Sequence, residues 1–138
     1  MKKLFFGISF LVTAAFASTH AESIITIQNI DKKRKGVLRL MVFKQEGFPK
    51  KHGKAIYTEI KPVKGSQQKF KLKLPSEEFA LKVLHDENAN GRVDKKYVFV
   101  PAEGIGFSRS IKMKFGPPTF NEARIKAEKN IKIKVYYY

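Results

Sequence analysis

The residues with the clearest chemical pattern form one short acidic stretch of a very basic chain. The sequence contains only three aspartates, and two of them, Asp86 and Asp94, enclose a segment that reads D-x-N-x-N-G-x-x-D. A calcium loop takes oxygen ligands from positions 1, 3, 5, 7 and 9 and places glycine at position 6, where the chain turns sharply. The residues at those ligand positions are Asp86, Asn88, Asn90, Arg92 through its carbonyl, and Asp94. Their spacing predicts a calcium loop.

A second interpretation of the same segment is a plain turn. Position 12 is Tyr97 where a calcium loop of the helix-loop-helix type carries a bidentate glutamate, and the residues before the loop have the pattern of a strand. Asn90-Gly91 is a frequent hairpin turn, and an aspartate such as Asp86 can cap its own backbone. We therefore keep both interpretations, a weak calcium site or a hairpin connection.

His85 precedes the acidic loop and raises an alternative hypothesis of catalysis. A small periplasmic hydrolase could use His85 and Asp86 with a serine near the segment from Gly104 to Ser108. No nucleophile motif surrounds Ser108 or Ser110. A histidine at a strand end more often packs against a neighbouring loop, so we predict that the protein is not an enzyme.

The lysines of the chain show a second pattern. Lysine and arginine together number 28 against 12 acidic residues, which gives a formal charge of +16. In the segments 69–74, 111–115 and 131–135, lysines alternate with apolar residues, as they do in strands with one buried and one exposed face. The lysines placed on the exposed faces are Lys69, Lys71, Lys73, Lys112, Lys114, Lys132 and Lys134.

These lysines predict a surface that attracts polyanions. A lysine offers a point charge without the bidentate geometry of arginine, so such a surface suits attraction that does not depend on sequence. The expected partners are anionic glycan, lipopolysaccharide or an acidic lipid surface, and chromosomal nucleic acid is not expected for an exported protein. The alternative is that the lysines only solvate strand faces and protect sheet edges.

The first 21 residues resemble a secretory signal peptide. Lys2 and Lys3 precede an uncharged run that ends near Ala17, and small residues at Thr19 and Ala21 suit cleavage after Ala21. The uncharged run is shorter than the roughly 20 residues that span a bilayer. We expect a periplasmic or secreted protein that does not span the membrane, with a charge lowered from +16 to +14 by the loss of two lysines. The chain has no cysteine, which excludes disulfides and thiol catalysis.

The elements that must position these residues are mostly strands. Short β-branched or aromatic runs alternate with turn residues, and only Thr119 to Ala123 resembles a helical turn, with Thr119 as its cap. We predict a single all-β domain over residues 22–138, an antiparallel β-sandwich of immunoglobulin-like or transthyretin-like type with about eight strands. The predicted strands cover residues 24–30, 37–43, 55–60, 69–74, 79–84, 97–100, 111–115 and 131–135.

Several motifs in order resemble a family of exported bacterial proteins. These are the segments 46–49 (EGFP), 85–94 (HDENANGRVD), 104–108 (GIGFS) and 116–123 (GPPTFNEA). The chain is similar to the family known as domain of unknown function 2141, and the similarity extends over nearly all of residues 24–138. The resemblance implies a small secreted β-sandwich and brings no activity, ligand or catalytic residue. From the residues themselves, we expect a non-enzymatic binding domain.

Overall fold

The computed structural model describes residues 21–138, so the predicted signal peptide lies outside the described residues except for Ala21. Seven strands and one short α-helix follow one another along the chain. They are β1 (Ser23–Gln28), β2 (Val37–Phe43), β3 (Tyr57–Pro62), β4 (Gln68–Leu72), β5 (Ala80–Asp86), β6 (Gly104–Phe107), α1 (Phe120–Ala123) and β7 (Asn130–Tyr136). Single turns of 3-10 helix cover His52–Lys54 and Ser108–Ser110.

The seven strands form one strongly curled sheet in the order β3-β2-β5-β6-β7-β1-β4. Strand β7 makes the sheet continuous, because its first residues pair with β1 while Val135 and Tyr136 pair with β6. The pairing of β1 with β7 is parallel and the other pairings are antiparallel. The predicted β-rich fold with a single helical turn is confirmed, whereas the expectation of purely antiparallel pairing was wrong, because β1 and β7 run parallel within a continuous sheet. Strand alternation predicts which face is buried but not which strands become neighbours.

Two predicted strands are absent from the described residues, and one observed strand was missed. The segment 97–100 is the tip of a loop, and the segment 111–115 has no strand partner. Ile111 and Met113 alternate with lysines because they pack against a patch of core on the sheet. Strand β6 was missed because its sequence, Gly104-Ile105-Gly106-Phe107, has the composition of a turn. Alternation thus reports a buried side, not a backbone pairing.

The core consists of two clusters on opposite faces of the sheet. The larger lies inside the curl and includes Ile25, Leu40, Phe70 and Ile133, all of which are fully buried. The smaller lies on the other face of β2, β5 and β6, and loop residues pack against it. Strand β5 separates the clusters and is buried along its whole length. The half of the sheet formed by β4, β1 and β7 contributes only to the larger cluster.

The predicted helical turn is confirmed as α1. Thr119 accepts a hydrogen bond from the backbone N–H of Glu122, and the Glu122 carboxylate accepts one from the backbone N–H of Thr119, which completes a capping box. Ala123 is fully buried beneath this turn. Its carbonyl accepts a hydrogen bond from the Ser108 hydroxyl, and this bond joins α1 to the end of β6.

Candidate functional site: a lysine surface and an acidic loop

The face of β4, β1 and β7 that points away from the larger cluster carries four of the predicted lysines. Thr26 of β1 lies opposite Lys69 of β4 on one side and Lys132 of β7 on the other. Ile24 lies opposite Lys71 in the same way. Residues directly opposite each other share a face, and strands two apart in a sheet are separated by about 10 Å. Lys69, Lys71 and Lys132 therefore lie on one face, and alternation along β7 adds Lys134.

Lys112 joins this face although its segment is not a strand. Its Nζ lies 5.7 Å from the centre of the Tyr136 ring, and Lys134 Nζ lies 5.5 Å from the same centre. The hydroxyl of Ser110 accepts a hydrogen bond of 3.0 Å from the backbone N–H of Lys134, which fixes the segment against β7. We call the five residues Lys69, Lys71, Lys112, Lys132 and Lys134 the lysine surface.

The two remaining predicted lysines lie at its margins. Lys73 follows directly after β4, and Lys114 lines a surface cleft together with Lys112 and Phe115. All seven predicted lysines are exposed. Within residues 21–138, none of the ion pairs involves any of the seven. Their charges are therefore available to an external anion.

Exposed apolar side chains lie beside the lysine surface. Tyr97, Val98 and Phe99 form the tip of a loop and are 75%, 73% and 88% exposed, and Phe115 is fully exposed. Tyr138 connects the two segments. Its carbonyl accepts a hydrogen bond of 3.0 Å from Lys96 Nζ, and its hydroxyl accepts one of 3.0 Å from the backbone N–H of Met113. Two neighbouring loops thus present aromatic tips among lysines.

The acidic loop is shaped by Asp86 at the end of β5. One Asp86 carboxylate oxygen accepts the backbone N–H of Asn90 at 3.1 Å, and the other accepts the N–H of Gly91 at 2.7 Å. The second oxygen also accepts Arg39 Nε at 2.6 Å. The Asp86 side chain is fully buried, and Gly91 has the positive φ of 76° that the turn requires. Asp86 thus caps the loop from within.

Two of the other predicted metal ligands, Asn88 and Asn90, converge on a third, Asp94. The amide nitrogens of Asn88 and Asn90 donate to the Asp94 carboxylate at distances between 2.9 and 3.1 Å. These bonds hold the pKa of Asp94 below its ordinary value. The side-chain oxygen of Asn90 accepts the backbone N–H of Arg92 at 2.9 Å. Residues 21–138 contain no group of three or more His, Cys, Asp or Glu side chains that could hold a metal ion.

Glu103 lies with Asp86 and Asp94, and we call these three residues the acidic cluster. Glu103 was not predicted from the sequence. It is 3% exposed and lies beside Asp94. One carboxylate oxygen accepts a hydrogen bond of 3.3 Å from the backbone N–H of Glu87, while the other is buried and has no hydrogen-bond partner within residues 21–138. Burial, together with the neighbouring Asp94 carboxyl, raises the pKa of Glu103 to about 7. Its only sequence signal is that it is an acidic residue within the 101–106 turn.

A buried lysine ties the acidic loop to the rest of the fold. Lys82 of β5 is 4% exposed and donates hydrogen bonds to the carbonyl of Pro49 at 2.9 Å and to Nε2 of His52 at 2.8 Å. His52 then donates from Nδ1 to the carbonyl of Gly91 at 2.9 Å. Burial lowers the pKa of His52, and the Lys82 charge lowers it further. These hydrogen bonds connect β5, the segment 49–52 and the acidic loop.

The residues of the hydrolase hypothesis form hydrogen bonds that hold the fold together. His85 is fully buried, with one ring nitrogen 2.7 Å from the Tyr137 hydroxyl and the other 2.9 Å from the Lys35 carbonyl. Ser108 is also fully buried, and its hydroxyl bonds to Leu81 N and to the Ala123 carbonyl. The Ser110 hydroxyl accepts the N–H of Lys134. This geometry gives the hydrolase hypothesis no support.

The comparisons with known proteins place the chain in a family without adding an activity. In the described part of the chain, no helix has the length and apolar character needed to cross a bilayer. Neither the curated proteins nor the solved structures include a match to this sequence. A family model described as an uncharacterized protein conserved in bacteria (DUF2141) matches residues 25–134, and the chain therefore belongs to that family.

Proposed function

We propose that the protein is an exported, non-enzymatic binding domain that uses the lysine surface to engage a polyanionic component of the bacterial envelope. The observation that carries the proposal is the register of β4, β1 and β7, which collects Lys69, Lys71, Lys132 and Lys134 on one open face. Charges of one sign on a single surface raise the local concentration of an oppositely charged polymer. In the part of the chain that the structure describes, these lysines form no ion pair, which supports the same conclusion.

Solvation of the sheet alone explains this face less well. A solvated strand face needs polar side chains, but mixed charges serve that purpose with less repulsion. Here Thr26, between Lys69 and Lys132, is only 8% exposed, so the stems of the long side chains cover it. The charged ends of these lysines lie on the solvent side of Thr26. An anionic partner would relieve their mutual repulsion.

Among the expected partners, the exposed apolar tips favour an acidic lipid surface over a glycan. Tyr97, Val98, Phe99 and Phe115 present large apolar groups to solvent, next to Lys95, Lys96 and Lys114. Aromatic side chains partition to the boundary between headgroups and acyl chains, and nearby lysines add attraction to anionic lipid. A soluble anionic glycan, including the polar part of lipopolysaccharide, gains little from such tips.

The first test is binding to vesicles of phosphatidylglycerol mixed with phosphatidylcholine. The double variant Lys71→Gln plus Lys132→Gln removes two charges from the centre of the lysine surface. Each lysine near an anionic membrane contributes about 1 kcal/mol, so we expect a loss of affinity of roughly thirtyfold. The matched control is Lys51→Gln plus Lys54→Gln, two exposed lysines that belong neither to the lysine surface nor to the cleft lined by Phe115, and it should lose much less. Equal losses would refute the assignment of this surface.

The second test separates lipid from glycan. Phe99→Ser should weaken binding to anionic vesicles several-fold and leave retention on heparin unchanged, because only a bilayer accepts the apolar tip. If both lysine variants behave as expected and Phe99→Ser changes neither measurement, the partner is a soluble polyanion. Vesicles of phosphatidylcholine alone give the baseline, and added salt should weaken binding to the anionic ones.

A further inference from the structure

The buried oxygen of Glu103 changes the interpretation of the acidic loop. Position 12 of the loop pattern is Tyr97, so the sequence lacks the carboxylate that a calcium loop needs there. The fold supplies one from outside the pattern, because the N–H of Ala102 donates to the Asp94 carbonyl at 2.7 Å and so holds the next residue, Glu103, at the end of the loop. We propose that the Asp86–Asp94 loop and Glu103 together form a binding site for a calcium ion.

The two carboxyl groups need a positive partner. A buried carboxylate oxygen without a hydrogen bond is costly, and a second carboxylate beside it adds repulsion. The Glu87 N–H binds one Glu103 oxygen, and among the described residues the other oxygen, Oε2, has no hydrogen-bond partner. Arg39 is committed to Asp86, and Arg34 contacts the Glu87 and Asp31 carboxylates. A cation between Glu103 and Asp94 would satisfy the free oxygen and remove the repulsion.

The remaining ligands come from neutral oxygens. Asn88 and Asn90 are held against Asp94 by their amide groups, and a half-turn of each amide would present its oxygen to the ion at the expense of the bonds that these oxygens accept from the N–H groups of Asn90 and Arg92. The carbonyl of Arg92 supplies the seventh loop position. Asp86 shapes the loop through the N–H groups of Asn90 and Gly91. The site thus combines two carboxylates with amide and carbonyl oxygens.

This chemistry selects calcium among common cations. All of the donors are oxygens, which hard divalent cations prefer. The loop is irregular and draws its ligands from spaced positions, which suits the flexible coordination of calcium better than the strict octahedron of magnesium. With two carboxylates and Arg39 nearby, affinity should be low. We expect a dissociation constant on the order of 10⁻⁴ to 10⁻³ M, as in other extracellular calcium modules.

The test is a calcium titration of four proteins, without vesicles or polyanions. Wild type should show saturable binding by calorimetry and a melting temperature several degrees higher in 10 mM calcium than in chelator. Glu103→Gln and Asp94→Asn should each lose at least tenfold in affinity. Glu128→Gln, which removes one exposed acidic charge outside the cluster, should bind as wild type does. Magnesium at 10 mM should produce a smaller shift.

The Glu103→Gln variant also tests whether a lost calcium shift is caused by misfolding. Glu103→Gln keeps the shape of the side chain and removes a buried charge, so without calcium it should melt at or above the wild-type temperature. Loss of the calcium shift in this stable variant would then report a lost ligand. The proposal is overturned if wild type shows no binding up to 10 mM calcium, or if Glu103→Gln and wild type bind equally. Vesicle binding plays no part in this outcome, so the two proposals fail separately.

Discussion

The lysine surface and the acidic cluster use charge in opposite ways. On the lysine surface, five cations lie on an exposed face with no ion pair among the described residues. In the acidic cluster, Asp86 and Glu103 are buried, and both carboxylate oxygens of Asp86 accept hydrogen bonds. Exposed charges act together over about a Debye length and weaken in salt, whereas buried charges act through individual short contacts.

This difference between exposed and buried charges indicates how selective each region can be for its ligand. The partner proposed for the lysine surface would meet exposed side chains on one face of the sheet and be selected mainly by its charge density. The cation proposed for the acidic cluster would meet a Glu103 carboxylate held by the Glu87 N–H and an Asp94 carboxylate held by the amides of Asn88 and Asn90. We therefore expect loss of the Asp86 carboxylate to lower stability strongly, and mutations on the lysine surface to change binding with little change in stability.

The largest effect should follow from breaking the buried ion pair. Asp86→Ala removes the partner of Arg39 and the acceptor of two backbone N–H groups. Loss of one member of a buried pair costs about 3–5 kcal/mol in the free energy of unfolding. Guanidinium denaturation measures the change. The matched control is Asp31→Ala, whose pair with Arg34 is partly exposed and should cost about 1 kcal/mol or less. Similar losses in both variants would show that the buried ion pair contributes no more to stability than the partly exposed one.

A smaller effect concerns Lys82, the buried lysine that leads to the acidic loop. Burial lowers its pKa from 10.5 to about 8. Between these values the unfolded chain holds a proton that the folded chain has lost, so the free energy of unfolding should rise with pH across this window. The full contribution of Lys82 to that rise is up to about 3 kcal/mol. Below pH 8 both states are protonated, and the cost of burying the charge is constant.

The variant that isolates this contribution is Lys82→Met. Wild type and variant share all other titrating groups, so the difference between their stability curves from pH 7 to pH 10.5 reports Lys82 alone. We expect a flatter curve for the variant, measured by urea denaturation in high salt to suppress general repulsion. Lys71→Met, at an exposed position, should keep the wild-type slope. Parallel curves for wild type and Lys82→Met would show that burial does not perturb this lysine.

The smallest effect on stability is expected at the lysine surface. The double variant Lys71→Gln plus Lys132→Gln should change the free energy of unfolding by less than about 0.5 kcal/mol, because both side chains are exposed and without ion pairs among residues 21–138. At low salt the change should be a slight gain, since repulsion falls. Thermal denaturation at two salt concentrations checks this. A loss above 2 kcal/mol would mean that these lysines support the sheet itself.

Parts of the fold and the site were predictable from local pattern. The spacing of Asp86 and Asp94 correctly marked a tight loop at a strand end, and the Thr119 cap marked the only α-helix among the described residues. Six of the predicted strands correspond to observed ones, because period-two alternation reflects one buried face. The segment 111–115 has the same alternation without a partner strand, since a loop that covers apolar surface obeys the same rule.

Composition and local pattern established the charge of the protein and its β-rich character, and they singled out the lysines and the 86–94 loop on which the two proposals rest. These features depend on composition and on contacts within a few residues. The parallel pairing of β1 with β7, which brings Lys69 and Lys132 to either side of Thr26, and the position of Glu103 near Asp94 are evident only in the folded chain. Strand order and register arise from packing the whole sheet around its core, and that information is not local in the chain.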